Sequence, residues 1–231
     1  MIKPVDEVIR DFDAIASALD RAPARDVLSP AERALLRHVP LGARSALDVG
    51  CGHGMLSRTL AGRGLRVRGI DLSPRMVEVA RSRTPAGANA EYVVSDIMSD
   101  PPEVHYDVVV SVNVVHHLPL EQIVPRLARA VAPGGMLLIQ DLVTRRGLDH
   151  LAVNVIAAIR RRARRIVGGS QADHEVVEAY ERHGAGETYL SPSEVAPAYA
   201  HLLPGARIEH HLEWRYSVIW TRPHTAGEKR Q

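Results

Sequence analysis

Three glycines at alternate positions, Gly50, Gly52 and Gly54, follow a short apolar run and a single acid, Asp48. Glycine lacks a Cβ, so such a turn reaches backbone angles closed to other residues and lets a ligand approach the main chain. Two later acids fit a nucleoside-bearing ligand. Asp71 stands about twenty residues beyond the loop, at the end of the next apolar run, where a carboxylate binds ribose hydroxyls. Asp96 ends a third run, Val93-Val94-Ser95-Asp96-Ile97, where it could accept a hydrogen bond from an adenine amino group.

A second group centres on two adjacent histidines in Asn113-Val114-Val115-His116-His117-Leu118-Pro119, after the fourth apolar run. Imidazole exchanges protons near neutral pH. His116 and His117 are therefore candidates for proton removal, and either could equally hold its loop in place. Asp141, ending the fifth run, is a candidate for substrate contact or for a bond to that loop. Downstream, His174, Tyr180, His183, Glu187 and Tyr189 are the polar residues able to line a site. Two glycines in His183-Gly184-Ala185-Gly186-Glu187 could hinge a lid. No metal is expected. Neither H-E-x-x-H nor C-x-x-C occurs, adjacent His116 and His117 are poorly placed to share one ion, and no carboxylate set for Mg²⁺ stands out.

These residues need a frame that brings them to one edge. The apolar runs Ser45–Val49, Val67–Ile70, Glu91–Val94, Asp107–Val112 and Met136–Gln140 are short and β-branched, as buried parallel strands are. Helix-length segments near 54–63, 74–83 and 120–131 separate them. Strict alternation predicts a doubly wound α/β fold whose ligand crevice lies at the carboxyl ends of the strands. Ser29-Pro30-Ala31-Glu32 and Ser191-Pro192-Ser193-Glu194 each offer an N-cap serine, a first-turn proline and a returning glutamate; Ser73-Pro74 offers the first two. Helices are thus expected near 30–38, 74–83 and 192–201. Residues 1–28 read as a helical cap, amphipathic through Val5, Val8, Ile9, Phe12 and Ile15. Residues 144–190 read as a helical insert, and Arg207–His211 with Arg215–Thr221 as an antiparallel pair turning near Glu213-Trp214.

Composition sets the outer bounds. The chain has 231 residues, 45% hydrophobic and 24% charged, which suits one globular domain. The lone Cys51 rules out an internal disulfide and is compatible with a reducing cytoplasm. Met1–Asp13 has no apolar core of a signal peptide, and no run approaches the roughly 18 apolar residues of a membrane span. A cytoplasmic protein is expected, with a frayed polar tail at Ala226–Gln231. The net charge of +2 is too mild to imply nucleic acid.

In order, the pieces Leu47-Asp48-Val49-Gly50-Cys51-Gly52-His53-Gly54, Gly69-Ile70-Asp71-Leu72-Ser73 and Ser95-Asp96-Ile97 are followed by Tyr106-Asp107-Val108-Val109-Val110-Ser111 and Ala132-Pro133-Gly134-Gly135-Met136-Leu137. Over residues 43–142 and the antiparallel tail, the sequence resembles the class I S-adenosylmethionine (SAM) dependent methyltransferases, small-molecule type. The resemblance implies a mostly parallel seven-stranded sheet with an antiparallel last strand. It also implies one domain over 1–231: a helical cap at 1–43, a SAM-binding core at 44–143, a helical lid and substrate insert at 144–204, a strand pair at 205–222 and a tail at 223–231.

It further implies roles. Gly50 and Gly52 would pass under the methionine part of SAM, with Asp48 shaping that loop. Asp71 would bind the ribose, Leu72 would pack on the adenine, and Asp96 with Ile97 would hold the adenine edge. Asn113 would face the cofactor near its sulfonium. His116 and His117 would lie beside the transferred methyl group, and Asp141, His174, Tyr180, His183 and Tyr189 would meet the substrate. The product cofactor would be S-adenosylhomocysteine. An oxidoreductase linked to a nicotinamide dinucleotide is the nearest enzymatic rival, but its fingerprint is G-x-G-x-x-G, whereas these glycines alternate behind an acid.

The expected acceptor is an oxygen, nitrogen or sulfur nucleophile of a small metabolite or natural product. Arg160, Arg161, Arg162, Arg164 and Arg165 form a basic run that could meet phosphates, which raises RNA or protein as an alternative. Aromatics for base stacking are only 4% of the chain, and Ser111-Val112-Asn113-Val114 stands where many amino-group methylases carry an N-P-P-Y type tetrapeptide. Nucleic acid is therefore the less favoured partner. An acidic small molecule or an anionic membrane surface would suit the arginines as well. A non-catalytic SAM-binding interaction protein is the remaining alternative, and a homodimer is compatible with these features.

Overall fold

The computed structural model describes residues 3–23, 26–144, 171–184, 186–212 and 214–224. The basic run Arg160–Arg165, most of the insert, the turn residue Glu213 and the tail lie outside the described residues.

Alternation of strand and helix begins at Ser45, as the apolar runs require. The strands are β1 (Ser45–Val49), β2 (Arg66–Asp71), β3 (Ala90–Val94), β4 (Tyr106–Val112), β5 (Val131–Leu142), β6 (Arg207–His211) and β7 (Arg215–Thr221). They form one seven-stranded sheet in the order β3-β2-β1-β4-β5-β7-β6. β1 to β5 pair in parallel, and β7 runs antiparallel to both β5 and β6. The sheet is therefore mostly parallel with an antiparallel last strand. Construction proceeds outward from β1 to β3, then restarts at β4 on the other side of β1. That reversal opens the crevice between the turns after β1 and β4.

Successive residues of each strand face opposite sides, so each strand feeds two cores. Leu47, Val109, Leu137 and Ile139 pack with Ile123, Val124 and Leu127 of α5 (Leu120–Ala130) and with Val195 and Tyr199 of α7 (Pro192–Ala200). Ala46, Val108, Val110 and Leu138 pack with Leu35 of α2 (Pro30–Leu35), with Leu36, and with Leu56 and Leu60 of α3 (Met55–Ala61). Ser29 forms a full capping box on α2, and Ser73 accepts from the Met76 amide to start α4 (Pro74–Arg83). Two expectations shift. The helix expected over 30–38 tightens to 3₁₀ geometry at Leu36–His38, and β5 starts at Val131 instead of Met136.

The cap helix α1 (Val5–Arg21) lies between α4 and α6 (Gln171–Gly184). Ile15, Ala16 and Leu19 bury against Met76 and Val79 of α4 and Ala179 of α6, with Phe12 beside them. A fully buried isoleucine such as Ile15 contributes about 2–5 kcal/mol against truncation to alanine, enough to dock the helix over the sheet edge. Among the described residues no helix is long and apolar enough to cross a membrane.

Candidate active site

The glycine loop leaves β1 with positive φ at Gly50 (72°), Gly52 (50°) and Gly54 (81°). The reasons differ. A Cβ at Gly50 would meet Val114 Cγ2 at 2.2 Å, whereas at Gly52 nothing stands within 4 Å. Gly50 is thus required by the loop after β4, while Gly52 opens onto free space. The Gly52 amide donates to Asp71 Oδ2 at 2.8 Å and the Ser73 amide to Asp71 Oδ1 at 2.9 Å. One carboxylate therefore ties the β1 turn to the β2 turn and keeps a further lone pair on each oxygen. Burial pushes the Asp71 carboxyl upward, and the Ser73 and Gly52 amides oppose that push.

A cavity of about 210 Å³ lies over this loop, walled by Gly50, Gly52, Asp71, Leu72, Asp96, Ile97 and Asn113 and roofed by Val8 and Phe12 of α1 and Tyr180 of α6. Seven of the expected cofactor residues thus meet on one space. Asp48 does not reach it. Its side chain is 1% exposed and accepts from Ser57 Oγ at 2.6 Å, so it anchors α3 beneath the loop. Burial pushes the Asp48 carboxyl up to about 7, against the Ser57 hydrogen bond. Asp96 lines the cavity while its oxygens also accept from the Met98 amide and Ser99 hydroxyl. An open glycine cradle, a carboxylate pair with spare lone pairs and the apolar walls of Leu72 and Ile97 fit a nucleoside carrying an extended polar arm.

Asn113 turns the chain sharply after β4. It holds φ at 59°, a left-handed conformation that asparagine tolerates better than most residues. Arg215 of β7 donates to its Oδ1 at 2.7 Å. The turn delivers His116 and His117 to a second, larger cleft of about 930 Å³, which Tyr180, His183, Glu187, Thr188, Tyr189 and Arg215 also line. Four residues face both spaces: Phe12, Asn113, His117 and Tyr180. Tyr180 is 42% exposed as a residue, while burial of its phenol pushes that group up to about 12.

The histidines are not alike. His116 Nδ1 lies 2.6 Å from Asp141 Oδ1, and its amide donates to Asp141 Oδ2 at 3.0 Å. With Nδ1 committed to a carboxylate, the Nε2 lone pair is the free one. His117 has no hydrogen bond at Nδ1, which stands 3.4 Å from Glu187 Oε2. Burial, with help from His116, His183 and Lys3, pushes His117 down to about 2, so its imidazole is neutral. His183 rests its Nδ1 on Asp11 Oδ2 at 2.9 Å, and Lys3 bonds the same oxygen at 2.9 Å. Although burial opposes it, these two bonds hold the Asp11 carboxyl below its usual range. The Phe12 ring lies edge-on to His117, with centroids 5.8 Å apart.

Two expected substrate residues sit elsewhere. His174 is exposed on α6 and lines neither space. Asp141 is 0% exposed and serves His116 and its own neighbour Leu142, so it can reach an acceptor only through His116. Lys3, Asp11, Phe12 and Arg215 were not marked by the sequence as site residues. The stripe Val5, Val8, Phe12 signalled that α1 buries a face, but not that the face closes a cavity. Nothing local signals Arg215.

A glycine turn with two strand-end acids thus stands beside a histidine-lined cleft at the switch point, and the two spaces share one wall. Residues 46–135 match the family described as methyltransferase domain. An uncharacterized methyltransferase of Mycobacterium tuberculosis is 33% identical over 193 residues, covering 80% of this chain and 90% of that protein. A trans-aconitate 2-methyltransferase of Paracidovorax citrulli is 40% identical over 133 residues, 54% of this chain and 49% of that one. Among solved structures, phosphoethanolamine N-methyltransferase 2 of Haemonchus contortus, in complex with phosphomonomethylethanolamine and S-adenosylhomocysteine, superposes with a TM-score of 0.66. At 16% identity, over 97% of this chain and 60% of that one, the likeness speaks for the fold. The chain belongs to the class I SAM-dependent methyltransferases. It is an enzyme of methyl transfer, with SAM as the donor.

Proposed function

We propose that this methyltransferase acts on an oxygen, nitrogen or sulfur nucleophile of a small molecule held in the 930 Å³ cleft. The observation that carries the reading is the wall of Phe12, Asn113, His117 and Tyr180 common to both spaces. Methyl transfer is an in-line displacement, so nucleophile and methyl must meet across such a wall, and alignment supplies much of the rate. Gly50, Gly52, Asp71, Leu72, Asp96, Ile97 and Asn113 would hold SAM, which supplies an electrophilic methyl group.

The chain's own residues would do the rest. Phe12 and Tyr180 roof the junction and exclude water. His116 and His117 offer imidazole lone pairs to the acceptor's nucleophile, with Asp141 fixing the tautomer of His116. Tyr189 and His183 wall the cleft, and Arg215 gives it a guanidinium for an anionic group of the acceptor. A carboxylate-bearing acceptor fits that cation, and the partial likeness to a trans-aconitate methyltransferase points the same way.

The test is transfer of labelled methyl from SAM into a metabolite extract and a panel of small carboxylic acids, phenols and thiols. A labelled small molecule is expected. Label found only in RNA or protein would overturn the reading. Thr188→Trp should then raise the acceptor KM about tenfold and leave the SAM KM unchanged, because Thr188 lines the cleft and not the cofactor cavity.

A further inference from the structure

The expectation of no metal rested on adjacent histidines that could not share an ion unaided. The fold supplies the missing member from the far side of the cleft. We propose that His116, His117 and Glu187 bind a divalent transition-metal cation of the zinc type, placed where the acceptor's nucleophile waits. This rests on assigning the cleft to the acceptor, and it specifies how the imidazole lone pairs act on that molecule.

Four observations converge. One ligand atom from each of the three residues lies within 4.8 Å of the others. Donors about 2.1 Å from a tetrahedral cation stand roughly 3.4 Å apart, and His117 Nδ1 and Glu187 Oε2 are already 3.4 Å apart. Small side-chain rotations complete the sphere. Second, His117 Nδ1, the atom that faces Glu187 Oε2, is buried without a hydrogen bond. An unpaired buried polar atom is costly and rare, and one aimed into the cluster calls for an occupant.

Third, the surroundings match those of metal ligands. Ligating imidazoles typically donate their other nitrogen to a carboxylate, as His116 does to Asp141 at 2.6 Å. Behind Glu187, His183 Nε2 stands 3.8 Å and Lys3 Nζ 3.5 Å from Oε1, which leaves Oε2 to the cation. Fourth, the carboxylates at the three ligands are Asp141 and Glu187, against the single ammonium of Lys3. That imbalance favours a divalent cation. Two nitrogens and one carboxylate suit zinc, cobalt or iron, whereas calcium and magnesium prefer oxygen alone.

Three protein donors leave coordination positions open, the arrangement of catalytic metal sites. The acceptor's hydroxyl or thiol would displace a water from the cation and release its proton to solvent. Its lone pair then stays on oxygen or sulfur, activated at neutral pH as a metal-bound water is.

The experiment uses tag-free full-length protein stripped with chelator and titrated with Co²⁺, read by visible absorption, and with Zn²⁺, read by calorimetry, in the absence of acceptor. One equivalent is expected to bind. Glu187→Gln should weaken binding at least about 100-fold and Asp141→Asn about 10–100-fold. His201→Ala, an exposed histidine after α7, should change nothing. S-adenosylhomocysteine affinity, unchanged in Glu187→Gln, reports that the fold survives. Parent protein that binds no Co²⁺ below about 1 mM would overturn the proposal. So would a folded Glu187→Gln variant that binds it as tightly as the parent. Metal bound through these residues, with methyl transfer occurring elsewhere, would instead overturn the cleft assignment and keep the site.

Discussion

Asp71 carries two duties with one carboxylate, since it ties Gly52 to Ser73 and presents spare lone pairs to the cavity. Replacing it with alanine removes both. Loss of charge-assisted hydrogen bonds to a ribose costs about 2–3 kcal/mol, so calorimetry should record S-adenosylhomocysteine affinity falling roughly 30- to 150-fold; unaltered affinity would remove Asp71 from the donor site. Asp48 yields a pH prediction. Its carboxyl rises from the ordinary 3.8 to about 7 on folding, so the folded state holds this proton over a window in which the unfolded state has released it. Stability from the site is then present below about pH 4 and lost as pH rises to about 7, by on the order of 4 kcal/mol. Urea unfolding at pH 5 and pH 8 should show Asp48→Asn gaining on the parent at the higher pH. A pH-independent difference would mean that the folded carboxyl is already ionised. The cavity glycines and acids were legible because backbone approach and ribose binding each demand one residue type. Asp48 and Asp141 read like their neighbours at strand ends, because sequence does not say that a carboxylate is fully enclosed.

Ser73 joins two elements. Its hydroxyl accepts from the Met76 amide at 2.9 Å to cap α4, and donates to Asp13 of α1 at 2.5 Å. Ser73→Ala should cost about 1–2 kcal/mol, measured by chemical denaturation, with the cap supplying about 1 kcal/mol of that. A change below about 0.3 kcal/mol would show that α1 is held by its apolar face alone. Elements were the most legible scale. β1 and α4 run over the residues expected, because a Ser-Pro start and an uninterrupted apolar run leave little choice. The early start of β5 was hidden, since the strand runs through an irregularity: Tyr106 pairs with Val131 and Val108 with Met136, and Gly134 between them holds φ at 75°. The placement of α1 against α6 was hidden too. That contact joins segments far apart in the chain, and an amphipathic stripe names no partner.

For the whole molecule, the cavity over the glycine loop is bounded by the β1 and β2 turns, the loop after β4, α1 and α6, so a ligand filling it would touch all of them. A ligand that binds only the folded state stabilises it by mass action. S-adenosylhomocysteine at about 100 times its Kd should add about 2.7 kcal/mol to unfolding, seen as a rise in Tm, and Asp71→Ala should lose most of that rise. An equal rise in the variant would mean that the ligand sits elsewhere. The sheet order and switch point followed from strict strand–helix alternation, which admits few topologies. The meeting of His116, His117, His183 and Glu187 did not follow, because it depends on how the roof folds back over the edge.

The wall common to the two spaces draws Phe12 from α1, Asn113 and His117 from the loop after β4, and Tyr180 from α6. Below it, the cavity rests on strand-end turns whose geometry the sheet dictates. Above it, α6 and residues 187–189 close the cleft with His183, Glu187, Thr188 and Tyr189. Descendants of this gene can therefore inherit the donor chemistry intact while the range of molecules they modify drifts through substitutions in the roof. Directed evolution toward a new acceptor would gain most from libraries confined to α6 and residues 186–189.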